Sequence, residues 1–238
     1  MGGLAARIRA HAVPEDSVMS VLGVFGGTFS PIHNGHLRVA IEVREQLALD
    51  EILVLPSGDP PHRETPRISA QRRLDWVRLA CADIPGLTVD SREVERNGPS
   101  YTVDTLCELR AQRPHDSLVL LLGEDAANQF HRWHRWQDII ELAHLVFVER
   151  PYETSMLAGE TRQLLSGRRV QDPARLRAQT AGLFMHCAIP PLAISSTRIR
   201  GLLKAGRSVQ GLVPQTVIQS FIDEDIESLT YDEEPESC

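Results

Sequence analysis

Apolar runs of strand length, each followed by a segment with helical spacing, constrain this chain more than any other feature. Val21-Leu22-Gly23-Val24-Phe25 is a short apolar run ending in glycines, as a buried strand does. Beyond it Leu37, Ala40, Ile41, Val43, Leu47 and Leu49 recur at three- and four-residue spacings, with Arg38, Glu42, Arg44 and Glu45 between them. That spacing predicts an amphipathic helix. Glu51 to Leu55 repeats the strand pattern and leads into a proline-rich loop, PSGDPPHRETPR. Ser69 is placed to cap a helix through Arg72, Leu74, Val77, Leu79 and Ala80, and Leu87 to Asp90 reads as a short third strand. Tyr101 to Arg110 is helical in pattern, while Ser117 to Leu122 (SLVLLL), His144 to Glu149 (HLVFVE) and Leu183 to Ile189 read as strands. Residues 151–182 show no clear strand and read as a surface connection with one or two short helices. Strands separated by helices imply an α/β fold, a single-domain, doubly wound parallel sheet with crossover helices on both faces. Ligands of such sheets bind beyond the carboxyl ends of the strands.

The stretch Gly23 to Leu37, GVFGGTFSPIHNGHL, stands at the first of those ends and holds four glycines, two histidines and a proline in fifteen positions. Glycines let backbone approach a ligand closely, and Pro31 stiffens the loop before the helix. His33 and His36 are about one turn apart and share a side of the helix start. There, free N–H groups and the positive dipole end attract phosphate. Near the other end of the chain, Ile194 to Arg200 reads ISSTRIR. Ser195, Ser196 or Thr197 is placed to cap a helix and offer hydroxyls, and Arg200 to reach the same phosphates.

GGTFSPIHNGHL resembles the G-G-T-F-D-P-x-H-x-G-H signature of the nucleotidyltransferases that join a nucleoside triphosphate to a phosphorylated partner and release pyrophosphate, and ISSTRIR resembles their second signature, I-S-S-T-x-I-R. The resemblance runs from about Val21 to Phe221 and implies a Rossmann-like nucleotidyltransferase fold. Pieces between the signatures resemble one branch, the nicotinate mononucleotide adenylyltransferases. Asp59-Pro60-Pro61-His62-Arg63 is similar to its P-P-H-K/R loop, and Arg96 to Leu106 to its R-x-x-x-S-Y-T-x-x-T-L segment. Leu122-Gly123-Glu124-Asp125, then Phe130 and Trp133, is similar to its G-x-D and F-x-x-W pattern.

The resemblance implies transfer of AMP from ATP to the 5′-phosphate of nicotinate mononucleotide, with pyrophosphate leaving. It implies His33, His36 and Arg200 as catalytic residues, and Gly26, Gly27, Thr28, Phe29, His36, Ser196, Thr197 and Arg200 as the ATP site. His62, Arg63, Ser100, Tyr101, Thr102, Asp125 and Trp133 are implied to hold nicotinate mononucleotide, with Trp133 stacking on the pyridine. A flat pyridinium wants an aromatic face and its carboxylate wants N–H donors. FHRWHRWQ is too polar for a core segment and suits a loop holding Trp133 at the surface, with Trp136 the better candidate for packing. The sequence shows no carboxylate cage for Mg2+, which fits an ion carried by the nucleotide phosphates and water. Ser30 departs from the family's aspartate, and His134 stands where the branch often has a second aromatic. Nicotinamide mononucleotide, another phosphorylated acceptor, and a silent nucleotide-binding protein are the alternative readings.

Charge and cysteine usage add the setting. Of the net charge of −7, Asp223, Glu224, Asp225, Glu227, Asp232, Glu233, Glu234 and Glu236 supply −8 with no basic neighbour, leaving residues 1–222 at about +1. The organisation expected is an N-terminal extension over 1–20, one domain over 21–222 and a solvated, disordered acidic tail over 223–238. The near-neutral body is no nucleic-acid surface. Cys81, Cys107, Cys187 and Cys238 form no C-x-x-C pair and fit reduced thiols in a cytoplasmic protein. No run has the length of a membrane span, and the first twenty residues lack the apolar stretch of a signal peptide. Whether the chain forms a homo-oligomer is left open.

Overall fold

The computed structural model describes residues 19–58, 67–149, 157–190 and 192–230. Among them, strands β1 (Val21–Gly27), β2 (Glu51–Pro56), β3 (Leu87–Val89), β4 (Ser117–Gly123), β5 (His144–Glu149) and β6 (Phe184–Ala188) form one sheet in the order β3-β2-β1-β4-β5-β6. Every neighbouring pair is parallel. The strand order reverses between β1 and β4, so the crevice expected of a doubly wound sheet opens at the carboxyl ends of those two strands.

Both faces of the sheet are covered, which explains runs of continuous rather than alternating apolar residues. Along β4, Val119 and Leu121 enter one core while Leu118, Leu120 and Leu122 enter the other. β2 divides likewise, Ile52 and Val54 to the first and Leu53 and Leu55 to the second. The first core is closed by α1 (Asn34–Gln46) and α2 (Ala70–Cys81), the second by α4 (Thr102–Gln112), which follows the single turn α3 (Arg92–Glu95). After β4 come α5 (Glu124–Asn128) and α6 (Trp136–Leu142). Residues 151–182 were expected to hold one or two short helices; the described part holds α7 (Gly159–Leu164) and a 3-10 turn over Pro173–Arg177. The chain ends its described course with α8 (Ser196–Lys204), α9 (Gln215–Ser220) and α10 (Asp223–Thr230), all contributing to the first core.

Two expectations fail for reasons of contact. Leu79 does not belong to the buried stripe of α2: it is 39 % exposed, and Arg73, Leu74, Trp76, Val77, Ala80 and Cys81 are buried instead. The acidic stretch does not begin as a solvated tail at 223. Residues 223–230 form α10, whose Leu229 is buried in the core and whose Asp225 is 5 % exposed. The partner missing from the local sequence is Arg72, 153 positions away. It donates through Nε and Nη2 to the Asp225 carboxylate at 3.1 and 2.7 Å and also to the Ser220 carbonyl. Asp225 in turn accepts from the Ile222 N–H at 3.0 Å, capping the helix it belongs to. Residues 231–238 lie outside the described residues, as do 1–18. At the other boundary, Ser20 is already part of the domain, its carbonyl accepting from the Ser117 N–H at 2.8 Å.

Asp225→Ala is therefore expected to cost about 2 kcal/mol of stability, for the loss of charge-assisted hydrogen bonds between a buried carboxylate and a part-buried guanidinium. In hydrogen exchange the amides of α10 should lose protection before the sheet does; unchanged protection would show that the Arg72 pair does not hold the helix.

Candidate functional site

β1 delivers its last residues into the crevice, and the loop that follows packs closely on itself. The Phe29 ring lies on Gly27, where a Cβ would come within 2.8 Å of Cε1 and Cζ. Phe29 itself takes φ 50 and is buried, and the Ser30-Pro31 peptide is cis. The loop ends at His33, the N-cap of α1, in extended conformation. Asn34 at the first helical position ties this start to the segment after α8, its N–H donating to the Leu212 carbonyl at 2.8 Å and its Nδ2 to Gly211 at 2.9 Å.

The two histidines cap the helix reciprocally. The His36 N–H donates to Nδ1 of His33, and the His33 N–H to Nδ1 of His36, each at 3.3 Å. It is the capping-box arrangement with imidazoles in both roles. The rings stack, centroids 3.6 Å apart and planes 14° from parallel. Gly35 makes room for this, since a Cβ there would lie 3.0 Å from Nδ1 and 3.1 Å from Cε1 of His33. The cap also fixes the tautomers. With each Nδ1 occupied as an acceptor, the neutral ring carries its proton on Nε2, leaving two N–H donors at a helix N-terminus. Burial keeps the rings neutral: His33, 4 % exposed, is lowered to about 4, and burial followed by the neighbouring His33 charge holds His36 well below the usual histidine range.

α8 faces this pair. Ser195 is its N-cap, Oγ accepting from the Arg198 N–H at 3.1 Å, so of the three hydroxyls suggested for capping it is the first that caps. Ser196 Oγ donates to the Pro31 carbonyl at 3.0 Å, and Arg200 Nη1 to the Ser30 carbonyl at 2.9 Å. Arg200 Nη2 also donates to Thr197 Oγ1 at 3.3 Å. Because Arg200 takes the main-chain carbonyl of residue 30, serine in place of aspartate leaves that contact intact.

Together these elements line a cleft of about 1030 Å³. Gly26, Gly27, Thr28, Phe29, His33, His36, Asp125, Ser196, Thr197 and Arg200 all line it, with Ser30 beside them. Glu149, Arg67 and Leu229 line it too and were not anticipated. Glu149 was visible only as the end of a strand; its carboxylate binds Nδ1 of His186 at 2.5 Å. Leu229 was assigned to a tail.

Four of the remaining residues form a second group. Ser100, Tyr101, Thr102 and Trp133 do not line the cleft; they sit at the start of α4 and after the 3-10 turn Phe130–Arg132. Ser100 Oγ lies beside Gly58, just beyond β2, where a Cβ would approach it to 2.9 Å. The Tyr101 and His134 rings are 4.4 Å apart. Trp133 is half-buried, edge-on to Phe130 at 5.7 Å, rather than carried free on a surface loop; Trp136 contacts the same ring at 5.8 Å. Asp125 is exposed in the first turn of α5, whose N-cap is Gly123, so it does not serve as the cap. His62 and Arg63 lie outside the described residues.

Among the described residues no group of three or more histidine, cysteine, aspartate or glutamate side chains is placed to hold a metal ion. Beside the carboxylates of Glu124, Asp125 and Glu149, the cleft wall carries imidazole, guanidinium and hydroxyl donors, which suit phosphate oxygens. None of the described helices is long and apolar enough to cross a membrane.

A helix start carrying two imidazoles at the switch point of a parallel sheet, faced by a second helix with hydroxyls and arginine, defines a class, and residues 24–202 match the family model of the cytidylyltransferase-like proteins. The chain belongs to that family. Within it the chain is similar to nicotinate-nucleotide adenylyltransferases. A protein of Pseudomonas aeruginosa PAO1 named "Probable nicotinate-nucleotide adenylyltransferase" is 47% identical over 198 residues, 83% of this chain and 92% of the relative. One of the same name from Halorhodospira halophila is 44% identical over 205 residues, 86% and 94% of the two chains. In fold, the chain is similar to the Plasmodium falciparum nicotinic acid mononucleotide adenylyltransferase solved with NaAD, at a TM-score of 0.63 and 15% identity over 84% of this chain and 93% of that one.

The lowered histidines make stability depend on pH in a definite direction. The unfolded chain takes up a proton at His33 near 6.5 and the folded chain only near 4, so stability is full above pH 6.5 and falls on acidification between those values. His33→Asn keeps a cap acceptor and removes the titration. Its melting temperature should fall less steeply than the wild type's between pH 6.5 and 4.5; parallel curves would assign the acid sensitivity elsewhere.

Proposed function

We propose that the chain transfers the adenylyl group of ATP to the 5′-phosphate of nicotinate mononucleotide, giving nicotinate adenine dinucleotide and pyrophosphate as a step of NAD biosynthesis. The observation that carries this reading is the reciprocal histidine cap, which presents two neutral N–H donors at a helix N-terminus opposite Arg200. An acceptor phosphate oxygen attacks the α-phosphorus in line, the new P–O bond forms as the bond to the bridging α–β oxygen breaks, and the electron pair leaves with pyrophosphate. A phosphate is already a nucleophile at pH 7, so no proton has to be removed and no covalent intermediate forms. Positioning and charge stabilisation lower the barrier.

In this reading His33 and His36 donate to the triphosphate through Nε2, His36 most directly. Arg200, with Ser196 and Thr197, holds the β- and γ-phosphates and the departing charge. Gly26 to Phe29 form the backbone surface against which the nucleotide lies. The substrate is ATP with its Mg2+, an ion carried by the phosphates and water. Ser100, Tyr101, Thr102 and Trp133, with His62, Arg63 and Asp125, receive nicotinate mononucleotide, Trp133 presenting its face to the pyridine. The relatives' names support this choice of acceptor. A cytoplasmic setting with small-molecule substrates, and neither nucleic acid nor membrane as partner, fits the near-neutral body.

Pyrophosphate release from the purified chain with MgATP should be much faster with nicotinate mononucleotide than with nicotinamide mononucleotide. His36→Ala should lower kcat by about 10²–10³-fold, the usual cost of losing one donor to developing phosphate charge. Equal rates with the two acceptors would overturn the choice of substrate, and an unimpaired variant would overturn the role of the histidine.

A further inference from the structure

Arg73 lies on the buried face of α2, 1 % exposed, and no step above uses it. Among the described residues its hydrogen bonds all go to main-chain carbonyls. Nη1 donates to Thr28 at 2.7 Å, Nη2 to Gly58 at 3.0 Å and Nε to Ile68 at 3.3 Å. Those carbonyls belong to three separate stretches: the loop after β1, the loop after β2 and the approach to α2. A guanidinium is planar, so three bonds from one fork fix the angles between the stretches as well as their distances. Burial lowers Arg73 to about 10, which leaves it a cation at neutral pH.

All three stretches border the proposed substrate sites, Ile68 as part of the cleft wall. Thr28 lines the cleft beside Phe29 and the histidines. Gly58 packs so closely on the acceptor segment that a Cβ would meet the Glu93 carbonyl at 2.1 Å and Ser100 Oγ at 2.9 Å. Ser100 Oγ in turn donates to the Glu93 carbonyl at 3.3 Å. The chain of contacts therefore runs from the nucleotide loop, through Arg73, to the residues beside Tyr101. A misplacement of about 1 Å between two reactants can cost an enzyme of this kind about a hundredfold in rate.

We propose that Arg73 is a positioning residue that sets the spacing between the ATP loop and the acceptor segment, so that both substrates are seated for in-line attack. The proposal rests on the adenylyl-transfer reading for the acceptor half and on geometry alone for the ATP half.

Arg110 supplies the comparison. Its guanidinium also donates to carbonyls, those of Asp116 at 2.7 Å and of Leu142 and Thr180 at 2.9 Å, but these stand at the amino ends of β4 and β5, away from the cleft. The full-length chain would be prepared with Arg73→Met, Arg73→Lys and Arg110→Met, and each assayed for melting temperature, for ATP affinity by calorimetric titration without acceptor, and for KM and kcat with MgATP and nicotinate mononucleotide. Arg73→Met should weaken ATP binding and raise KM for both substrates by about tenfold or more, with kcat also lower. Arg73→Lys, which keeps the charge but not the fork, should recover part of the loss. Arg110→Met should melt earlier with both KM values unchanged. If Arg73→Met does not fold, Arg73→Lys carries the test, and wild-type affinity and KM values in it overturn the proposal. Arg73 variants that behave like Arg110→Met overturn it as well. Should the wild type show no turnover with nicotinate mononucleotide, the functional reading falls, while the ATP titrations still decide whether Arg73 seats the nucleotide loop.

Discussion

Six strands running the same way place all their carboxyl ends on one side of the sheet, and helices on both faces leave that edge as the place where backbone can meet a ligand. The loop after β1, the start of α4, the start of α5 and the approach to α8 all arrive there. At the switch between β1 and β4 the neighbouring connections diverge to opposite faces, and the cleft is the space between them. The histidine cap and the hydroxyls and arginine of α8 are therefore mounted on an apolar body.

Within that frame, one local bond pattern does several tasks. The reciprocal cap ends the helix, orients two rings and determines which nitrogen carries each proton. A Ser or Asp cap would satisfy the same backbone N–H groups but would offer no second donor to a ligand. The glycine between the histidines is part of the same device, because the ring above it occupies the space a side chain would take.

Much of this was legible in the sequence because it is local. Strand-length apolar runs, the helical period after residue 36 and the two phosphate motifs each declare themselves within about fifteen residues, and a doubly wound sheet follows from their alternation. What escaped was long-range. Asp225 reads as one more acid in an unpartnered run until the fold sets Arg72 against it. Arg73 has no place in the pattern that predicts α2, although its spacing from Trp76, Val77 and Ala80 puts it on the buried stripe. The three carbonyls that make its burial tolerable come from loops with no periodicity to reveal them. Trp133 showed its aromatic character but not its partner, since the edge-on packing against Phe130 depends on a 3-10 turn that composition does not signal.

The neutrality of the two imidazoles also bears on how the proposed reaction ends. Hydrogen bonds from charged donors are about twice as strong as neutral ones, so a site built wholly of cations would grip the multiply charged leaving group as firmly after the reaction as during it. In the proposed reaction, a pair of uncharged N–H groups beside Arg200 would give directional contact during transfer and a weaker hold on the product than two further cations. The same burial that makes the folded chain sensitive to acid would thus, in that reaction, loosen its hold on the departing pyrophosphate.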